Sequence, residues 1–328
     1  MNLDEQFKNE TDKLGLDIIE ILFKNEKKGR ITALAKQNET KLILKWNLSC
    51  KSLHIAKLKK EISYYREHQG ENHIVPLSYA AENILVIEYF KGVSLRKWLE
   101  SYLDEQKTGT TDLVKQSFSN CVTSLLKSLK MMYKEPLDKK AEFNEMAYQL
   151  CKRFRQVCCF KPLNGAYQSK FETKFCRWIY RIFRSLARTK IHHIVKKINT
   201  NDLYIIHGDL HLNNILIGLE SNEAKIIDFE DVEPGFVLLD IIYLYSLFYY
   251  LLTGLPNHQL ILRECFSGFI ADNFPELNNS FFELANIFQI GLSINRSVGY
   301  NISAFRLLKN LCFFPIKLLF TKSHCIHK

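Results

Sequence analysis

The segment HGDLHLNNILI places Asp209 and, five residues later, Asn214 on one loop between two short apolar strands. Fourteen residues beyond Asn214, Asp228 stands at the end of another strand, in IIDFED. Two carboxylates and a carboxamide facing one pocket are hard oxygen ligands. Such a set suits Mg²⁺, which binds through one or two carboxylates together with substrate phosphates. Upstream, Lys45 ends the apolar run KLILKW, and Glu61 sits mid-way along the helical pattern LKKEISYY. A strand lysine held by a helix glutamate aims an ammonium at nucleotide phosphates.

The elements that must position these groups are legible from periodicity. IIEILFK (18–24), RITALAKQ (30–37) and KLILKW (41–46) alternate as three strands of a meander. Residues 52–69 read as a helix, with Ile55, Leu58, Ile62 and Tyr65 on one side. Short strands follow around HIVPLSYAA and ILVIEYF, then Gly92 breaks the pattern and Ser94 caps a helix over SLRKWLESYL. Residues 101–200 read as mostly helical. Strands at LYIIHG (203–208), ILIGL and KIIDF (225–229) carry the acidic loop, and helix follows from 237 onward. The predicted class is α+β: an antiparallel N-terminal lobe over 1–91 and a larger helical lobe over 92–328 with a short β insertion.

The chain has 328 residues, 47% of them hydrophobic, with 23 Phe and 15 Tyr. That composition excludes disordered and collagen-like classes and leaves ample room for a core. The polar, acidic start MNLDEQFKNETDK has no apolar signal region, and nine cysteines are expected to be free thiols in a reducing, cytoplasmic setting. FVLLDIIYLYSLFYYLLTGL (236–255) is long enough to span a membrane, but it is expected to be a buried helix, with Asp240 as its one charge. The SHCIHK tail has too few ligands for a metal site, and Cys158–Cys159 lacks a CxxC partner.

Net charge is +10, unevenly placed: +1 over 1–90, +14 over 91–200 and −5 over 201–328. Within 152–197, thirteen basic residues face one acid, Glu172. Lys170, Lys174, Arg177, Arg181, Arg184 and Arg188 recur at steps of four and three, a single helical stripe. The stripe is a candidate surface for an anionic partner, either a phosphorylated glycan or the inner face of an anionic membrane. The alternative is a solvated helix face. The apolar and basic LLKNLCFFPIKLLFTKSH is read as a lobe-closing helix or an interfacial anchor. No nucleic-acid module is present, so nucleic acid is not the expected partner.

HGDLHLNN with IIDFED, preceded by LILKW and LKKEISYY, resembles the aminoglycoside phosphotransferase and choline kinase group of the protein-kinase-like fold. The resemblance runs from about residue 18 to about 250. It implies a bilobal fold using ATP and Mg²⁺. In it Asp209 is the catalytic base, Asn214 and Asp228 are the metal ligands, and Lys45 reaches the α- and β-phosphates with Glu61 as its ion-pair partner. Gly29 and the hinge-like VIEYFKGVSL, with Glu88 and Phe90, take the nucleotide-binding positions. His207 opens the loop in a structural role, and Asp240 braces the loop from a buried helix.

The departures matter. The phosphate-covering loop has one glycine where protein kinases have three, and Glu230 replaces the glycine after the metal-site Asp-Phe. Asp240 follows Asp228 by only twelve positions, too few for a peptide-docking segment. The expected acceptor is therefore a hydroxyl of a sugar, a lipopolysaccharide core glycan, or an amino-alcohol or aminoglycoside. A catalytically weak scaffold binding nucleotide or an anionic partner is the alternative, and a protein kinase is disfavoured.

Overall fold

The computed structural model describes residues 3–48, 52–106, 112–140, 142–157, 170–198 and 202–299. The SHCIHK tail, the Cys158–Cys159 pair and the C-terminal apolar-basic stretch lie outside them. In chain order the elements begin with α1 (Leu3–Lys13), β1 (Asp17–Asn25), β2 (Arg30–Gln37), β3 (Thr40–Asn47) and α2 (Ser52–Glu67). Then come β4 (Leu77–Ala81), β5 (Ile84–Glu88), β6 (Gly92–Ser94), α3 (Leu95–Gln106), α4 (Asp112–Met132), α5 (Phe143–Val157) and α6 (Lys170–Val195). The remainder are β7 (Tyr204–Ile206), β8 (Ile215–Gly218), β9 (Ala224–Ile226), β10 (Glu233–Gly235), α7 (Val237–Leu251), α8 (Pro256–Asn273) and α9 (Asn278–Gly299). The α+β class expected from the sequence is observed. The chain divides into two compact units, residues 1–137 with 204–240, and residues 138–203 with 241–328.

The first unit is built on an antiparallel sheet of order β1-β2-β3-β5-β4. Alternation decides what each strand buries: Ile31, Ala33 and Ala35 of β2, and Leu42, Leu44 and Trp46 of β3, form one apolar face with Ile84 and Val86. Because strand side chains alternate in direction, burying Leu44 and Trp46 sends Lys45 to the opposite face. Helix α1, not expected from the polar N-terminus, covers the apolar face through Phe7, whose ring lies 5.5 Å from that of Trp46. Helix α2 buries Leu58, Ile62 and Tyr65 as its spacing predicts, and it also buries Glu61, which has no solvent exposure. Ser94 accepts from the Lys97 N–H at 3.3 Å, as expected of an N-cap. The residues from Gly92 on form a strand before that helix. β6 pairs with β8, and β8 with β9, in a second, three-stranded sheet. Ser124 and Ser128, one turn apart on α4, clamp Ala224 of β9 at 2.9 and 2.7 Å. β7 is shorter than expected and pairs with β10. The run KIIDF is strand only to Ile226, after which the chain turns into a short 3₁₀ segment at Phe229–Asp231.

In the second unit, Phe154 of α5 packs on Phe183 of α6 (5.8 Å) and Phe288 of α9 (5.4 Å). Tyr245, Phe266 and Phe281 form a further aromatic cluster. Helix α7 is buried apart from Tyr243, Leu247, Tyr249, Tyr250 and Leu251, which are half-buried. No helix among the described residues is long and apolar enough to cross a membrane.

Candidate active site

All five polar residues singled out by motif lie in the first unit. Lys45 Nζ is 2.7 Å from Glu61 Oε1 and 2.6 Å from Asp228 Oδ1. The strand–helix ion pair is therefore present, and the lysine also bridges to the aspartate 183 residues away. Burial pulls the Lys45 ammonium towards neutrality, but Glu61 and Asp228 outweigh it and hold its pKa above the usual lysine value. Burial also pushes Asp228 up, but Lys45 dominates and keeps this carboxyl below its ordinary range. Glu61 goes the other way: burial raises its pKa, and Lys45 only partly compensates. One ammonium serves two carboxylates, so the more deeply buried acid gives way.

Asp228 adopts φ 69°, ψ 55°, a left-handed conformation uncommon for a non-glycine residue. The next residue, Phe229, is fully buried. Its ring stacks on Tyr64 at 4.0 Å, meets Tyr65 edge-on at 5.6 Å and lies 5.0 Å from His207. Glu230 pairs with Arg30, and Lys57 Nζ reaches Asp231 at 2.6 Å. Every residue from 228 to 231 is thus tied to the sheet or to α2.

The loop bearing Asp209 is held from beneath. Asp240, fully buried, accepts from the His207 N–H (2.7 Å), the Gly208 N–H (3.2 Å) and the Tyr133 hydroxyl (3.0 Å). His207 Nε2 donates to the Ile227 carbonyl at 2.8 Å, while Nδ1 accepts from the Asp209 N–H at 3.3 Å. Both ring nitrogens are thus engaged by backbone groups. Gly208 has φ +78°, and a Cβ there would run into the Asp231 carbonyl, so only glycine fits. Asp209 is partly exposed, with Oδ2 3.7 Å from His211 Nε2.

The oxygen set fits a divalent cation. Asn214 donates its Nδ2 to the Asp209 carbonyl at 3.1 Å, which orients the amide and leaves Oδ1 as an acceptor that could serve a cation. Its own carbonyl accepts from the Ile227 N–H at 3.0 Å, fixing the loop beside Asp228. A carboxylate and an amide oxygen are the ligand types that Mg²⁺ takes from protein.

The nucleotide positions are mixed. Gly29 is left-handed (φ 59°) and its N–H bonds to Glu26 O at 3.1 Å, while the Lys28 N–H bonds to Asn25 Oδ1 at 3.1 Å. These two donors are spent inside the β1–β2 turn. At the hinge, Glu88 is exposed at the end of β5, and the Phe90 carbonyl accepts from the Gly92 N–H at 2.8 Å. Sequence reasoning missed Tyr133, Arg30 and Lys57. No local pattern marks Tyr133 as a partner of Asp240, whereas Arg30 beside Gly29 and Glu230 beside Asp228 were complementary charges at two motifs.

The basic stripe falls on α6 as expected. Arg181, Arg184 and Arg188 are exposed, and the side chains of Lys170, Lys174 and Arg177 lie outside the described residues.

Residues 172–269 match the family model described as the phosphotransferase enzyme family. No curated protein sequence matches the chain. Among solved structures, a macrolide 2′-phosphotransferase type I aligns with TM-score 0.51 and 9% identity, covering 94% of this chain and 96% of that one. An aminoglycoside phosphotransferase of Streptomyces rimosus aligns with TM-score 0.50 and 10% identity, covering 88% and 99%. An ethanolamine kinase of Plasmodium vivax aligns with TM-score 0.49 and 16% identity, covering 95% and 83%. Over residues 172–269, then, the chain carries the sequence pattern of the phosphotransferase enzymes, and its fold is that of the aminoglycoside and macrolide phosphotransferases.

Proposed function

We propose that this protein is an ATP- and Mg²⁺-dependent O-phosphotransferase that moves the γ-phosphate to a hydroxyl of a non-protein acceptor. The observation that carries the reading is Lys45 held between Glu61 and Asp228 at 2.7 and 2.6 Å. That arrangement presents a charged ammonium beside a metal-competent carboxylate. Residues 1–91 serve as the nucleotide lobe, and residues 92–328 carry the catalytic loop and acceptor determinants. Lys45 contacts the α- and β-phosphates, and the hinge around Glu88 and Phe90 takes the base. Asp228 and Asn214 would hold Mg²⁺, which when bound neutralises charge on the β- and γ-phosphates. Asp209 accepts or orients the proton of the attacking hydroxyl.

The acceptor is a sugar, a glycan or an amino-alcohol; the basic stripe of α6 favours one carrying negative charge. A peripheral position at an anionic membrane face rests on the same stripe.

The test is γ-phosphate transfer from ATP to a panel of sugars, aminoglycosides, choline and lipopolysaccharide cores. Asp209→Asn should leave ATP affinity near wild type and lower turnover by ~10²–10⁴, the usual worth of a positioned base. Equal turnover in the variant would remove Asp209 from the mechanism. A scaffold role is the second reading, favoured by the N–H groups of Lys28 and Gly29 being spent inside their turn. It predicts nucleotide binding with no transfer to any member of the panel.

A further inference from the structure

The second unit contains a cavity of about 230 Å³ whose described lining comes from α5 and α6. Three guanidiniums, Arg155, Arg184 and Arg188, surround it, with His192 beside them. Helical spacing explains the convergence. Residues 184, 188 and 192 repeat every four positions along one face of α6, and residue 155 comes from the neighbouring helix. Phe154, buried, supplies an apolar wall, and the half-exposed Tyr148 completes the lining.

Among the described residues no carboxylate pairs with Arg155, Arg184 or Arg188. The nearest acid in sequence on α5, Glu145, bonds to Gln149 at 2.8 Å, and Glu283 of α9 faces Lys190 at 3.9 Å. The Cys151 thiol in the lining reports the local field: burial pushes its pKa up, while Arg188, Arg155 and Arg184 all pull it down. Three cations therefore act on one point, without a paired carboxylate among the described residues.

We propose that this cavity binds the phosphate group of a small phosphorylated molecule. Guanidinium forks match phosphate oxygens in bidentate pairs, and an anion there relieves the mutual repulsion of the three arginines. A volume below the ~300–1,000 Å³ of drug-sized pockets suits a phosphate with part of a sugar ring. The cavity is concave and draws on two helices, whereas a membrane contact would need only the charged face of α6 and not Arg155. The site stands on these residues and does not depend on the phosphotransferase reading.

The experiment is isothermal titration calorimetry of the full chain at low salt with inorganic phosphate, glucose 6-phosphate and glucose. Phosphate and glucose 6-phosphate should bind and glucose should not. Arg184→Gln and Arg188→Gln should each weaken phosphate binding about tenfold, the scale of a hydrogen bond to a charged group. Arg188→Lys, which keeps the charge but loses the fork, should also weaken it. Arg181→Gln, on the same helix and outside the lining, should change it less than about twofold, since it alters only a screened surface charge. Asp228→Ala should leave it unchanged, because this phosphate does not enter the nucleotide site. Absence of phosphate binding to the wild type would overturn the proposal. So would equal losses in Arg181→Gln, which would indicate a diffuse surface field, or loss in Asp228→Ala, which would place the phosphate at the nucleotide site. Acetate binding as tightly as phosphate would overturn the phosphate assignment. Binding to vesicles containing phosphatidylglycerol that is abolished by Arg181→Gln, with no binding of free phosphate, would make the stripe a membrane face instead.

Discussion

Replacing Asp240 by alanine should cost the first unit about 3–5 kcal/mol, because the carboxylate is the shared acceptor for three groups. Its removal leaves the His207 and Gly208 N–H groups and the Tyr133 hydroxyl facing an emptied, fully buried site. Each orphaned donor costs about 1–3 kcal/mol. Part of that sum is returned, since the fold no longer has to desolvate a carboxylate. Tyr133→Phe removes one hydrogen bond to the charged group and should cost about 1.5–3 kcal/mol. The loss comes from the folded state, where burial first and Asp240 second hold the Tyr133 phenol well above its usual pKa, so it stays a donor. Urea unfolding followed by tyrosine and tryptophan fluorescence reads both effects as midpoint shifts at unchanged slope. Because the bonded N–H groups immediately precede Asp209, turnover should fall by ~10² or more even where the variant remains folded, as small misplacements do. An Asp240→Ala protein less than 1 kcal/mol weaker than wild type, with wild-type turnover, would refute the bracing argument.

Asp228→Ala should abolish Mg²⁺-dependent nucleotide binding, because the phosphates are held largely through the metal; unchanged Mg·ATP affinity by calorimetry would count against the site and for the scaffold. A pH effect is expected from His73, whose ring is fully buried, with Nε2 3.0 Å from the Tyr64 hydroxyl and Nδ1 3.2 Å from Glu71 Oε2. Burial chiefly, with His68 and Lys225 adding and Glu71 opposing, pushes its pKa down to about 4. The fold therefore favours the neutral ring. That stability is complete above the unfolded pKa of ~6.5 and is lost as pH falls from there towards 4, about 3 kcal/mol in all. Melting temperatures across that window should fall in the wild type and fall less in His73→Asn; parallel curves would show that another group carries the dependence.

The local elements of the site were legible in the sequence because they follow from short-range rules. Alternation over 41–46 fixed which face of β3 Lys45 leaves by, and the spacing of Leu58, Ile62 and Tyr65 put Glu61 on the inner side of α2. The intervals among Asp209, Asn214, Asp228 and Asp240 identified one loop, one strand end and one buried helix. Other features depend on residues far apart in the chain, and no window of sequence contains them. Lys45 meets Asp228 across 183 positions, and Tyr133 meets Asp240 across 107. The residues from Gly92 become a strand because β8 offers an edge, and α1 forms where Phe7 finds Trp46 to cover. The stripe on α6 was visible as a run of charges, yet a one-helix pattern is convex. Only the packing of α5 against it, bringing Arg155 over Arg184 and Arg188, turns part of that charge into a cavity. Periodicity determines which side of an element a residue occupies; the tertiary fold determines what stands opposite, and the chemistry of a site requires both.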